Sequence, residues 1–428
     1  MNKKIVILGG GTFNHVRPHL SLAAPAFGTT ARQLNYLVHE RFDNMDIELA
    51  LTRMAGGGHD LIQSSLVTND DVEEYVDELI ADNRTKIIFF NVAMCDYVGE
   101  IGNQYSDNFD DRISTSEYPT TTMYLAAAEK VVSKIREKRK DIFLVAFKTT
   151  KNASTEEQYS AALNLLKTSS CNLVLANDIG TRNNFIVTPE EGVYNGTREE
   201  CLKQLVDMAY WRSHLSFTRS TVVDGEPVAW RDAEVPNSLR TVVDWCVEQG
   251  AYKTFNGVTT GHFAAKIGEG EFLTSIRKTN FNDIEKNGMV RVKTDGDDQV
   301  ISYGAKPSVG GQSQRIVFGS LPETDCIVHF HCPLKASSIV PVVSQKEYEC
   351  GSHECGQNTA DGLKEIIPGI YAVMLDNHGP NIVFNHNVPP SKVIQFIEDN
   401  FILDRSTSGF EQAYLTDHEY AIDTSELI

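Results

Sequence analysis

The chain lacks any apolar run approaching the ~18 consecutive residues that a membrane-spanning helix needs, so no membrane span is expected. It also lacks an excess of positive charge: 39 Lys and Arg stand against 58 Asp and Glu, for a formal net charge of −19. Non-specific nucleic-acid binding draws its strength from Lys and Arg neutralising phosphates, so no nucleic-acid partner is expected, whereas a small anion in a local basic pocket is still allowed. Cysteine is sparse. Its eight residues (Cys95, Cys171, Cys201, Cys246, Cys326, Cys332, Cys350 and Cys355) are scattered rather than arrayed as a disulfide framework, which fits a reducing cytoplasm. The opening MNKKIVILGGGT has glycines where a secretory signal would carry its cleavage site, and it reads as a first β-strand. There is no internal repeat and no low-complexity tract.

What is present is the composition of a folded globular protein. At 428 residues the chain exceeds what one hydrophobic core supports, so two domains are expected, 1–235 and 236–428. Over the first ~200 residues, apolar and β-branched runs (KIVIL, IELALT, KIIFFNV, DIFLVAF, NLVLAND) alternate with amphipathic stretches. That alternation predicts an α/β fold with a doubly wound parallel sheet. Helices are expected over 70–83, where acidic residues lead, and over 122–140, where a basic cluster closes the segment. Residues 213–236 read as a connector, followed by a helix after Asn237-Ser238. The second domain has more Gly, His and turn signals, with strands at EFLTS, IVH and YAVML and a helix at SKVIQFIEDNF.

Gly9, Gly10 and Gly11 follow the first strand, where the carboxyl edge of a parallel sheet presents ligand loops. Glycine there either lets backbone amides approach a phosphate or simply makes a tight turn, and the GxGxxG spacing is missing. The ordered series GGGT, HVRP, FFNVAMCDY, RISTS, AFKTT, LVLANDIGTRNN and FIVT resembles the phosphopantothenoylcysteine synthetases over residues 1–190. This resemblance implies a Rossmann-like domain binding a nucleotide triphosphate, CTP or ATP, bordered by Gly9, Gly10, Gly11, Thr12, Asn177 and Asp178. The chain departs from that family at three points: Ser21 falls where an asparagine is usual, Arg112 where a lysine is usual, and AFKTT lacks the acidic residue of FKxET. Nucleotide binding is therefore a firmer expectation than ligase chemistry.

In the segment CIVHFHCP, His329 and His331 are separated by one residue, and strand residues i and i+2 share a face. Two imidazoles placed in this way can chelate a divalent metal. In YAVMLDNHGP, His378 follows an apolar strand just before a Gly-Pro turn and offers a third ligand. Three neutral imidazoles with an open position form a catalytic zinc arrangement, with Mn, Co and Fe as alternatives, in which the ion acts as a Lewis acid. Cys350, His353 and Cys355 read either as a second cluster or, preferably, as a glycine-rich loop.

The elements GHFAAK, FLTS, KPSVGG, LPETDCIVHFHCP and LDNHGPNIVF resemble the class II aldolase/adducin family over residues 238–402. The resemblance implies a class II aldolase-like α/β/α domain with His329, His331 and His378 as metal ligands. It further implies that Gly261, His262, Thr274, Ser275, Pro307 and Ser308 contact a phosphorylated substrate, with Arg277 and Lys278 nearby. One departure is chemical: Gly310 stands where the family carries its acid/base glutamate, and neither Gln312 nor Gln314 can take a proton at neutral pH. Glu347, Glu349 and Glu354 are candidate replacements. The expected function is a two-domain cytoplasmic enzyme whose lyase domain (aldolase, epimerase or dehydratase) acts on a small phosphorylated hydroxy-carbonyl compound. The alternative is a non-catalytic binding or assembly protein with a structural metal. Both resemblances imply a homo-oligomer, a dimer or a tetramer.

Overall fold

The computed structural model describes residues 2–56, 64–101, 112–297 and 299–403, the side chains of 309–313 excepted. By its contacts the chain divides into two units. The first runs up to Val187 and resumes at Asn195–Ser213; the second comprises Thr188–Tyr194 and the chain from His214 onward. No described helix is long and apolar enough to cross a membrane.

In the first unit, β1 (Lys4–Gly11), β2 (Asp46–Leu51), β3 (Thr85–Ala93), β4 (Phe143–Thr150), β5 (Leu173–Asp178) and β6 (Asn184–Val187) lie in the order β6-β5-β4-β3-β1-β2. All neighbours are parallel except β5 and β6. Ile5 to Leu8, Ile87 to Phe89 and Leu173 to Ala176 are fully buried, as strands covered on both faces must be. Each such Val, Leu or Ile contributes about 1.5–3 kcal/mol relative to exposure. The helices are α1 (Thr29–Arg41), α2 (Asn69–Ala81), α3 (Val131–Lys138), α4 (Thr155–Ser169) and α5 (Arg198–Arg212). Reciprocal capping boxes (Thr68 with Asp71, Ser154 with Glu157, Thr197 with Glu200) start α2, α4 and α5 by satisfying amides that have no intrahelical partner.

Two sequence expectations change here. The helix expected over 122–140 is confined to α3, because Tyr124–Ala127 pairs antiparallel with Tyr97–Glu100 and a hairpin partner overrides local helix propensity. The glycines form the end of β1 rather than a turn into a helix: a hairpin, Phe13–Arg17 with Leu20–Ala23, intervenes before α1. A Cβ on Gly9 would lie 2.2 Å from the Ala31 Cβ of α1, so that glycine lets helix and sheet close on each other.

The second unit is built on a sheet of β7 (Arg219–Val223), β8 (His262–Gly268), β9 (Glu271–Ser275), β10 (Met289–Thr294), β11 (Gln299–Tyr303), β12 (Cys326–His329), β13 (Val342–Val343), β14 (Lys364–Ile367), β15 (Ile370–Leu375) and β16 (Gly379–Phe384). Their order is β7-β11-β10-β9-β8-β12-β16-β15-β13, with β14 on β15. One face carries α6 (Asn237–Glu248) and α9 (Pro390–Asn400), whose Leu239, Val242, Phe396 and Ile397 pack with Phe263 and Val328. The other face carries α7 (Val309–Ser320) and α8 (His353–Gly362), whose Val317, Phe318 and Cys355 pack with Ala264 and Ile327. This is an α/β/α arrangement.

The stretch expected as a connector packs in this unit. Its Arg219–Val223 pairs parallel to β11, Val228 and Met289 exchange backbone hydrogen bonds of 2.8 Å, and Trp230 is fully buried in the core. The β-branched TVV and the tryptophan are the reason: each finds apolar cover there, which a solvated linker would not provide.

Gly10 supplies a test of the first unit. Its φ of +106° is strained for any L side chain, and a Cβ there would meet the Thr52 Oγ1 at 2.1 Å. Gly10→Ala is expected to destabilise this unit by roughly 3 kcal/mol in urea unfolding, with the transition of the second unit unmoved.

Candidate metal centre

The strand Cys326–His329 and the residues after it alternate strictly. Cys326, Val328, Phe330 and Cys332 enter the apolar core beneath α6 and α9. Ile327 packs on the opposite face. His329 and His331 continue that opposite face, which is why two imidazoles sit side by side in an otherwise apolar run. His378 arrives from the turn between β15 and β16. A Cβ on Gly379 would lie 2.2 Å from the Phe330 carbonyl oxygen, so only glycine lets this turn rest directly on the histidine strand.

His329, His331 and His378 are all buried, and each offers a ring nitrogen within 4.8 Å of the other two. Among the described residues no other group of His, Cys, Asp or Glu converges in this way. His329 Nε2 and His378 Nε2 are 3.2 Å apart, about the edge of a tetrahedron drawn at the ~2.1 Å zinc–nitrogen distance. His329 Nδ1 lies 2.7 Å from the Pro380 carbonyl, which can only accept; Nδ1 therefore carries the proton and the Nε2 lone pair faces the cluster. Burial pushes the pKa of His329 down to about 4, against a smaller raising effect of the Pro380 hydrogen bond. Three buried ring nitrogens that converge in this way, that of His329 by its lone pair, are the donor set that a divalent cation requires, and the residues fit that group.

A fourth imidazole lies beside them. His262 is directly opposite His329 in the strand register, and their rings stack at 4.7 Å. Gln314 Nε2 donates to His262 Nδ1, leaving the His262 Nε2 to carry the proton as a donor. Burial first, then the proximity of His329 and His331, hold its pKa well below the usual histidine value. Sequence reading assigned His262 to substrate contact without this stacking. The alternation in GHFAAK held the signal, because Phe263 and Ala265 enter the opposite core.

The other expected substrate residues are partly gathered here. Gly261, at φ +101°, abuts the His329 carbonyl: a Cβ there would lie 2.5 Å from that oxygen. The Thr274 hydroxyl donates to the Phe263 carbonyl at 3.2 Å and thus braces the sheet. Ser308 N–H donates to the Ser275 carbonyl at 3.0 Å, and Pro307 bridges Ile276, so these two loops touch. Among the described residues, Ser275 Oγ and Gln314 Oε1 are buried without a hydrogen-bond partner. Arg277 and Lys278 are exposed. Gly310 lies in the first turn of α7. Of the candidate carboxylates, Glu347 is exposed, Glu349 is half-buried, and both oxygens of Glu354 accept from the Ser216 N–H. Instead of a loop, His353 to Gly362 form α8; His353 meets the Thr218 hydroxyl at 2.6 Å, and the Cys355 thiol contacts Gln345.

In the first unit, the expected nucleotide residues serve the protein itself. Thr12 Oγ1 donates to Asn69 and accepts from the Cys95 N–H. Asp178 accepts from the Thr150 hydroxyl and from the amides of Asn152, Ala153, Gly180 and Thr181. Burial would raise its pKa, but these hydrogen bonds outweigh burial and hold it far below the carboxylate range. Asn177 is half-buried at the end of β5 and takes a hydrogen bond from Thr149. Gly9, Gly10 and Gly11 pair with Asn91, Val92 and Ala93 at the carboxyl edge. Arg112 is exposed.

Residues 241–386 match the family model of the class II aldolase and adducin N-terminal domain. The chain is similar in fold to the DNA/pantothenate metabolism flavoprotein of Streptococcus pneumoniae, at 17% identity over 49% of this chain and 99% of that one, with a TM-score of 0.41. It is similar also to the C-terminal domain of a bifunctional protein of coenzyme A biosynthesis, at 13% identity over 48% and 92%, TM-score 0.33. A third similar structure is L-fuculose 1-phosphate aldolase from Glaciozyma antarctica, at 14% identity over 47% and 96%, TM-score 0.29. No curated protein matches the chain. The chain is an α/β protein, and the stretch 241–386 of its second unit matches the class II aldolase and adducin model.

The buried histidines predict a pH dependence. His329 titrates near 4 when folded and near 6.5 when unfolded, so below 6.5 the unfolded chain takes its proton first and stability falls with pH. For metal-free protein, this histidine alone is expected to cost about 2 kcal/mol in urea unfolding of the second unit between pH 7 and pH 5. His329→Gln should flatten that part of the profile.

Proposed function

We propose that the second unit is a metal-dependent lyase acting on a small phosphorylated hydroxy-carbonyl compound, and that the first unit binds a nucleotide triphosphate, CTP or ATP. The convergence of His329, His331 and His378 in a buried site carries the reading. A divalent cation there, zinc first with Mn, Co or Fe as alternatives, would supply Lewis-acid polarisation of a substrate carbonyl.

The remaining roles fall to the chain's own groups. His262 Nε2–H is a donor for a substrate oxygen, and the Gln314 Oε1 is an acceptor for a substrate hydroxyl. The Ser275 hydroxyl and Ser308, which immediately precedes α7, suit a phosphate, since the start of a helix favours anions. Gly261 clears the approach to His329, and Thr274 and Pro307 hold the surrounding loops. Buried, water-poor surroundings strengthen each of these interactions.

For the first unit, support comes from the strand order. β1 has β2 on one side and β3 on the other, so the connections reverse direction there, and ligands of doubly wound sheets lie outside the carboxyl ends at such a point. Gly9, Gly10 and Gly11 are at that edge, which Thr12 and Asp178 brace, while Asn177 extends it. The acidic charge and scattered cysteines support a cytoplasmic protein, which we take to be a homo-oligomer, dimer or tetramer.

Gly310 favours one second reading, in which the chain is a non-catalytic binding or assembly protein and the metal is a structural staple. The test is to strip the full chain of metal, reload it with each candidate ion, and assay cleavage of phosphorylated hydroxy-carbonyl compounds for the new carbonyl product. About one ion per chain and turnover that falls at least a thousandfold in His378→Ala, with folding intact, are expected. Metal binding without turnover on any such compound would leave the non-catalytic reading; turnover unchanged in metal-free protein would overturn the metal's role.

A further inference from the structure

We propose that the segment Thr188–Tyr194 is a strap that positions the third histidine of the metal site, with Gly192 as its point of contact. The proposal rests on the reading of His329, His331 and His378 as metal ligands. Two of these come from one extended stretch, whose facing is fixed by the core residues that alternate with them. His378 instead sits in the turn between β15 and β16, directly after Asn377, which holds a left-handed φ of 55°. Turns open at lower cost than core strands, and a metal site tolerates errors of only about 0.2 Å in its ligand distances. The third ligand therefore depends on what packs against its turn.

Two glycine contacts grip that turn. Gly379 rests on the Phe330 carbonyl, and Gly192 rests on Asn377. The second contact comes from far away in sequence: the chain leaves the first unit at Val187 and resumes it at Asn195, and the residues between them belong to the second unit. Within these residues Thr188 N–H donates to the Gly192 carbonyl at 3.1 Å, Glu191 N–H to the Thr188 carbonyl at 3.0 Å, and Gly192 N–H to the Thr188 hydroxyl at 3.2 Å. A Cβ on Gly192 would lie 2.4 Å from the Asn377 carbonyl oxygen and 3.2 Å from the Asn377 Cβ, so glycine is what lets the strap lie there. That carbonyl belongs to the planar peptide unit that includes the His378 nitrogen, so pressure on its oxygen turns the backbone of the ligand itself.

The strap is itself anchored. Thr188, Glu190, Glu191 and Val193 are each 3% exposed or less. Glu190 Oε1 accepts from the Cys350 N–H at 2.6 Å, and the Lys346 ammonium lies 5.5 Å from the centre of the Tyr194 ring. Glu191 holds a left-handed φ of 69°, a conformation that persists where the surroundings over-determine it. The class II aldolase and adducin model matches residues 241–386, so this support reaches the site from outside the matching stretch.

The experiment titrates zinc into the metal-free full chain against a competing chelator, and records the visible spectrum of the cobalt-loaded chain, which reports ligand geometry. Gly192→Ala is expected to weaken zinc binding roughly tenfold or more and to alter the cobalt spectrum at saturation. Gly319→Ala, where a Cβ enters open space, is expected to match the parent in both. Thr188→Val, which removes the acceptor of the Gly192 N–H, should also weaken binding, and Thr188→Ser, which keeps that acceptor, should restore it. Where a substitution disturbs folding, the parent decides. Zinc is expected to slow amide hydrogen exchange in 188–194 as well as in the His378 turn, because coupling between the two is reciprocal. Parental affinity and spectrum in Gly192→Ala, or zinc protection of the turn that stops short of the strap, would overturn the positioning role and leave the metal reading standing. A parent that binds no zinc would overturn both.

Discussion

The second unit depends on the strict two-residue alternation of the central strand that begins at Cys326. Its even-numbered residues, Cys326 to Cys332, complete an apolar core, and its odd-numbered histidines face the other way. A slip of one residue in register would bury the imidazoles among Phe263 and Val242 and expose Val328 and Phe330. The cost of that slip, several large side chains at about 1.5–3 kcal/mol each, keeps the three-histidine geometry in place. The same logic places His262: its strand pairs antiparallel with the histidine strand, and Phe263 and Ala265 fix its face.

Local patterns were legible where chemistry and periodicity coincide. The H-x-H spacing predicted a shared face, the apolar run before Asn377 predicted a strand leading into the turn that carries His378, and the alternating runs of the first half predicted its parallel sheet. Pairings between distant segments were not legible. Nothing in GHFAAK says which residue it faces, so His262 against His329 waits on the register of two strands. The Pro380 carbonyl that sets the tautomer of His329 is likewise a product of β16 lying beside β12. The hairpin at Tyr124–Ala127 and the docking of Trp230 are tertiary choices that override local propensity.

Glycine was the most ambiguous signal. Gly9 to Gly11 read equally as a phosphate cradle or as a tight turn, and a Cβ on each would meet Ala31, Thr52 or the Ala24 carbonyl oxygen, which shows how little room their surroundings leave. Gly379 and Gly261 serve the site in the same physical way, by letting one backbone lie on another. Asp178, expected as a ligand contact, ties the loops after β4 and β5 together.

The central claim is that three imidazoles bind one divalent ion and leave a position open for substrate. X-ray absorption at the zinc edge of the reloaded full chain tests it most directly. Three nitrogen scatterers at about 2.0–2.1 Å together with oxygen, and loss of one nitrogen in His331→Ala, are the predicted result. A sulfur shell at about 2.3 Å, or a fourth imidazole closing the coordination, would contradict an open three-histidine centre.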